Sequence, residues 1–216
     1  MKKWISIALA LVLILSLAGC GMSRSVTPEE IEDIDYGIID SGTYENTHFG
    51  IGYRFEDEWN TDTQEQIWER NEWNADKDIR EQMLASLKKP NYFWEMHTET
   101  AAQEATLDVS IDNVSVLADP DLSQEKYAEY CAEQAVNHWE QIKATDIDIE
   151  LAEEEIAGKL CHGFVITCEY QGDPIYYKAF YLKKGIYAAE IKITCIGEDV
   201  TEQVLYNFYE VKNQPS

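Results

Sequence analysis

Phe164-Val165-Ile166-Thr167-Cys168-Glu169-Tyr170-Gln171-Gly172-Asp173-Pro174-Ile175-Tyr176-Tyr177-Lys178-Ala179-Phe180-Tyr181-Leu182-Lys183-Lys184-Gly185-Ile186-Tyr187 is the stretch that decides the fold. It holds two turn signals, Gly172-Asp173-Pro174 and Lys183-Lys184-Gly185, between runs rich in aromatic and β-branched residues. Such runs at hairpin spacing read as adjacent antiparallel strands. Extended to both sides, the pattern predicts a meander from Lys159 to Ile196. Phe164, Ile166 and Cys168 share one face of their strand, and Tyr187, Ala189, Ile191, Ile193 and Cys195 share one face of theirs. Ile175 to Leu182 is apolar in both parities, which predicts a central strand covered on both sides.

Upstream, Ile147, Ile149 and Leu151 alternate with Asp146, Asp148 and Glu150 and predict another strand. Before it, Ala128, Cys131, Ala132, Ala135, Trp139 and Ile142 recur at steps of three and four. They predict an amphipathic helix from Gln124 to Ala144, with Ser123 as its cap. Tyr92–Thr98 and Ala105–Val116 read as strands. In the second, Leu107, Val109 and Ile111 alternate with Asp108, Ser110 and Asp112, which predicts one buried face. Asp62 or Thr63 begins a long helix to Lys88, ended by Lys88-Lys89-Pro90. Thr43–Asn46 and Ile51–Phe55 form a strand pair, and a closing helix runs from Asp199 or Thr201 to Val211. Runs of neighbouring strands with helices between them define an α+β class, a mainly antiparallel sheet flanked by helices.

The N-terminus addresses a different question. Met1-Lys2-Lys3 precedes an apolar run from Trp4 to Ala18, and Leu17-Ala18-Gly19-Cys20 closes it. A charged start, an apolar middle and small residues before the cut describe a secretory signal peptide. The segment resembles a bacterial lipoprotein signal with its lipobox. The resemblance implies cleavage between Gly19 and Cys20, and diacylglycerol with palmitate-type chains on the Cys20 sulfur. It also implies a lipid anchor on the extracytoplasmic face of the membrane. Two chains suffice for stable anchoring. Residues 1–19 are then the signal peptide, 20–41 an acidic tether, and 42–216 a single domain.

Composition excludes some classes. The chain has 41 acidic and 17 basic residues, a formal charge of −24; loss of Lys2 and Lys3 with the signal moves it to −26. Phosphate backbones need clustered Lys and Arg, so nucleic acid is not an expected partner. Six Trp, 13 Tyr and 6 Phe supply a core that acidic disordered chains lack.

A second resemblance rests on Tyr44-Glu45-Asn46, Phe49-Gly50-Ile51, Arg54-Phe55 and Trp59. This order resembles the opening of PsbP-like lipoproteins, although Glu56-Asp57-Glu58 stands where that family has a proline before the Trp. The resemblance covers roughly residues 43–211. It implies an α/β/α sandwich and a binding or assembly role, with no shared catalytic residues.

The chain holds no GxSxG, HExxH, Walker loop or GxGxxG. Cys131 and His138 lie two helical turns apart, roughly 10 Å of rise. Cys161 and His162 point to opposite faces of a strand. No catalytic residue, metal ligand or cofactor other than the Cys20 lipid is assigned. Cys131, Cys161, Cys168 and Cys195 could pair in three ways or remain buried thiols. Asp146, Asp148 and Glu150, followed by Glu153-Glu154-Glu155, suit a solvated strand better than a divalent-cation site, because a straight strand holds carboxylates about 7 Å apart. Tyr92, Phe93, Trp94, Tyr176, Tyr177, Phe180 and Tyr181 read as core, or as an aromatic groove for a peptide or glycan. The expected function is non-catalytic binding of a small ligand or an envelope protein. The alternatives are a cell-envelope enzyme using a carboxylate pair and a divalent-cation module.

Overall fold

A computed structural model describes residues 34–88 and 92–212. The signal segment, the Gly19-Cys20 junction and the first part of the tether lie outside those residues. The described chain is α+β with antiparallel sheets. Its strands are β1 (Ile38–Asp40), β2 (Thr43–Asn46), β3 (Ile51–Arg54), β4 (Trp59–Thr61), β5 (Phe93–Thr100), β6 (Ala105–Asn113), β7 (Thr145–Ile156), β8 (Lys159–Tyr170), β9 (Asp173–Lys184), β10 (Tyr187–Ile196) and β11 (Phe208–Glu210). The helices are α1 (Gln64–Arg70), α2 (Ile79–Ser86), α3 (Val114–Leu117), α4 (Gln124–Gln141) and α5 (Thr201–Leu205).

The expected meander supplies β8, β9 and β10 of the main sheet, whose order is β4-β5-β6-β10-β9-β8-β7. Its hairpins follow turn chemistry closely. Tyr170 pairs with Asp173 across Gln171-Gly172, which have φ of 56° and 89°. Positive φ at both central positions defines a type I′ turn, whose twist matches the strands it joins. Ala157-Gly158, with φ of 53° and 72°, joins β7 to β8 in the same way.

Two apolar layers sandwich this sheet. Against one face pack the small sheet β1-β2-β3-β11 and the α1–α2 region, burying Tyr44, Ile51, Tyr53 and Met83 against Leu107, Val109, Ile111, Ile191 and Ile193. Against the other lies α4, whose Ala128, Cys131, Ala132 and Trp139 meet Phe164, Ile166, Tyr177 and Tyr181. Ser123 caps α4 by accepting from the Lys126 amide at 3.2 Å. The face assignments for β8 and β10 agree with the periodicity, and β9 is covered on both sides as its two apolar parities predict.

Four local expectations need correction. The long helix from Thr63 to Lys88 is two short ones. Thr63 and Gln66 form a capping box on α1. Asn71 then exchanges hydrogen bonds with the Trp94 backbone, at 2.7 Å in each direction, and Glu72 turns to φ 59°. These bonds, and the burial of Trp73 against Phe93, compete successfully with a charged and sparsely apolar helix. The closing helix stops at Leu205, because Phe208–Glu210 finds the open edge of β3 and Phe208 packs on Tyr53. Strand β6 ends at Asn113, whose side chain caps α3. The domain also begins before residue 42: Ile34 is wholly buried and β1 pairs with β2, although both fall in the segment that composition assigned to the tether.

A buried carboxylate joins the two sheets. Between Trp94 and Met96 the β5–β6 register shifts, turning Glu95 inward. Glu95 accepts from the Gly37 amide at 2.8 Å, the Asn46 side-chain amide at 2.7 Å, and the Tyr44 hydroxyl. Burial pushes its carboxyl up to about 7 against those three bonds. Tyr44 and Asn46, quoted above for their resemblance, thus have a structural task as donors to Glu95.

Candidate functional site

The α4-facing side of the main sheet changes character halfway across. Over β8 and β9 it is apolar; over β5, β6 and β10 it carries His97, Asp108, Ser110, Asp112, Glu190, Lys192 and Thr194. All but Glu190 are at least nine-tenths buried, and Glu190 is half-buried. The alternation in β6 predicted one buried face. Both are buried, because β6 is interior to the sheet and its polar face lies beneath α4 and the aromatic residues around it.

Register builds the cluster. Asp108 lies opposite Lys192 and Ser110 opposite Glu190 across β6 and β10, while His97 lies opposite Asp108 across β5 and β6. The Lys192 ammonium is 3.2 Å from one Asp108 oxygen, and His97 Nδ1 is 2.6 Å from the other. Trp94 covers Lys192, whose Nζ sits 4.8 Å from the ring centroid. Burial raises the Asp108 pKa, but Lys192 and His97 outweigh that and hold the carboxyl below its usual range. Burial likewise disfavours the Lys192 cation, yet Asp108 and Glu190 overcome it and push the pKa up. This half of the cluster is a neutralised ion pair.

The other half is not neutralised. Tyr181 and Ser110 donate to the two oxygens of Glu190, at 2.8 and 3.3 Å. Tyr127 donates to Asp112 Oδ2 at 3.0 Å. Asp112 Oδ1 is buried with no partner among the described residues. Burial first, and then the charge of Glu190, push the Asp112 carboxyl up to about 7. These groups open on a cavity of about 60 Å³, walled by Tyr92, Tyr127, Tyr130, Tyr177, Tyr181 and Trp139. That is room for a few waters, each needing roughly 10–15 Å³, or for one small polar head group. With three carboxyls against one ammonium, the balance is negative. An orphaned carboxylate oxygen among ring faces suits an ammonium group.

The sequence candidates fall as follows. Tyr92, Tyr177 and Tyr181 line the cavity and Trp94 covers Lys192, whereas Phe93 and Phe180 belong to the opposite core, against which Tyr176 packs. The seven aromatic residues therefore do not form one groove. Cys131 and His138 both line the cavity. Burial pushes the Cys131 thiol well up and the His138 imidazole down, so neither is activated as thiolate or imidazolium. Cys131, Cys161, Cys168 and Cys195 are all free and buried. The acids of β7 are strung along an exposed edge strand, and among the described residues no three His, Cys, Asp or Glu gather as a metal site. Sequence reading missed Glu190 and Lys192. The available signal was a Glu and a Lys on one face of a strand that the meander makes interior.

No protein-family model matches this chain, and comparison with curated proteins finds no relative.

Proposed function

We propose that this is a lipid-anchored extracytoplasmic lipoprotein whose single α+β domain, of PsbP-like type, binds a small ligand without catalysis. The anchor rests on Leu17-Ala18-Gly19-Cys20. The binding role rests on one observation: Asp112 Oδ1 is unpartnered and buried at an aromatic-walled cavity with excess negative charge. A buried carboxylate oxygen without a donor is costly unless something fills the position. A small ammonium-bearing ligand supplies both the donor and the missing charge. Diacylation of Cys20 would keep that ligand site at the membrane surface.

The test is titration of the full-length protein in mild detergent with methylammonium, followed by the melting temperature. The wild type should be stabilised with the logarithm of ligand concentration once the site fills, and Asp112→Asn should not respond. Equal responses in the two proteins would remove the reading. Metabolic labelling with palmitate, present in the wild type and absent from Cys20→Ala, tests the anchor separately.

A carboxylate-pair enzyme is the second reading, because Asp112 is held near neutrality beside Glu190. The cavity of about 60 Å³ has no room for a glycan or peptide. Turnover of an envelope substrate, lost in both Asp112→Asn and Glu190→Gln, would favour it over binding.

A further inference from the structure

A second concavity lies where the ends of the two sheets meet, and its charge opposes that of the chain. The turn after β2 forms one wall, with Asn46 accepting from the Gly50 amide at 2.8 Å and the Phe49 amide at 2.9 Å. The segment leaving β11 is tied to that turn through the Val211 amide and the Gly50 carbonyl, at 3.1 Å. The start of β8 and the end of β9 complete a cleft of about 500 Å³, within the usual range for a ligand site. Phe49, Leu182 and Val211 give it apolar lining.

Its polar groups are mostly cations. Lys159, Lys184 and Lys212 line the cleft, with Glu210 as the acid among them. Lys159 Nζ is 3.9 Å from Glu210, too long for a hydrogen bond. Gly50, at φ 68°, leaves the Lys159 ammonium its space: a Cβ there would stand 3.3 Å from Nζ. The Lys184 ammonium donates to the His48 carbonyl at 2.9 Å, which orients it without neutralising it. Lys183 takes no part, because its ammonium is held by the Pro120 and Gly185 carbonyls at 3.0 and 2.7 Å. In a chain with 41 acids, three lysines share one carboxylate here, leaving two positive charges beside apolar walls.

We infer that this cleft binds a phosphomonoester, with its phosphate among Lys159, Lys184 and Lys212 and its apolar portion against Phe49, Leu182 and Val211. The charge count selects the ligand class, since a phosphomonoester carries about −1.5 to −2 at pH 7. The inference does not depend on the cavity beneath α4. The shared chemistry could come from a soluble phosphoester or from a membrane lipid headgroup.

Phenyl phosphate is the first probe, titrated calorimetrically against the full-length protein in mild detergent at low salt. Binding should weaken about tenfold in each of Lys159→Gln and Lys184→Gln, the loss of one charge-assisted contact. It should fall further as salt rises, and stay unchanged in Lys143→Gln, outside the cleft. Cosedimentation with phosphatidic acid vesicles separates the two sources. Vesicle binding that shares the lysine dependence assigns a lipid phosphate, and phenyl phosphate binding without vesicle binding assigns a soluble phosphoester. The inference is overturned if phenyl phosphate does not bind, or if it binds the two lysine variants as tightly as the wild type with melting temperatures unchanged.

Discussion

Strands β6 and β10 carry two opposite chemistries on their two faces, and both faces are buried. One presents Leu107, Val109, Ile111, Ile191 and Ile193 to the small sheet. The other presents Asp108, Ser110, Asp112, Glu190 and Lys192 to the space beneath α4. The apolar face is stabilised by removing hydrocarbon from water, and most of its side chains could be exchanged for others of similar volume. The polar face has no such tolerance. Each charge there needs its specific partner, and removing one leaves another stranded. Alternation along a strand thus records which residues share a face, while the strand's place in the sheet determines whether that face meets water.

The largest expected effect comes from breaking the ion pair. Asp108→Ala leaves Lys192 buried against Trp94 without its nearest carboxylate, and should cost about 3–5 kcal/mol by urea denaturation. Adding Lys192→Met should recover much of that loss, since an apolar side chain of similar length has no charge to strand. If the double variant is as unstable as Asp108→Ala, the polar face acts through packing and the contrast between faces collapses. On the apolar face, Ile191→Ala should cost about 2–5 kcal/mol. No second substitution at Asp108 or Lys192 should rescue it, because the two faces share no side-chain partners.

A further effect separates the buried carboxyls by pH. Asp112 and Glu95 are both pushed up to about 7, from ordinary values near 4. Between those limits the folded state holds protons that the unfolded state has released, so stability falls as pH rises from about 4 to 7. The loss should be on the order of 3 kcal/mol for each group, and Asp112→Asn should flatten its share of the slope. Asp108 works in the opposite sense. Its folded pKa is depressed, so its contribution is present above the ordinary Asp range and is lost as pH falls through the folded value. Melting curves from pH 4 to 8 that rise steadily toward pH 7 in the wild type would contradict the Asp112 and Glu95 assignments.

Much of the scaffold was legible in the sequence, for local reasons. The meander could be placed from its turn residues, α4 from an apolar stripe behind Ser123, the faces of β8 and β10 from period-two alternation, and the double burial of β9 from apolar residues in both parities. What failed were elements whose ends depend on distant residues. The bonds of Asn71 to Trp94 and the pairing of Phe208 with Tyr53 connect segments far apart in sequence. Glu95 turns inward only through an irregularity in β5. The cavity stayed hidden because Asp112 read as an alternate on the unburied face, and Glu190 drew no reading until β6 and β10 were known to be neighbours. The lysine cleft stayed hidden because Lys159, Lys184 and Lys212 belong to three separate segments.

Moving from the centre of the sheet to its edge gives the smallest effect. Leu151 on β7 lies directly opposite Phe164 on β8, on the same face of the sheet. Phe164 is 1% exposed beneath α4, whereas Leu151 is 58% exposed on the edge strand. Position in the sheet, not residue type, should decide what each substitution costs. Leu151→Lys should change stability by less than about 0.5 kcal/mol, as ordinary surface substitutions do. It should also lower self-association at high concentration, since a lysine blunts an open strand edge. The six acids already spaced along β7 make the wild-type edge self-repelling, so that change should be slight by analytical ultracentrifugation. A loss of more than 1 kcal/mol would mean that the edge is packed in solution, and that the contrast between centre and edge is weaker than the exposure of Leu151 implies.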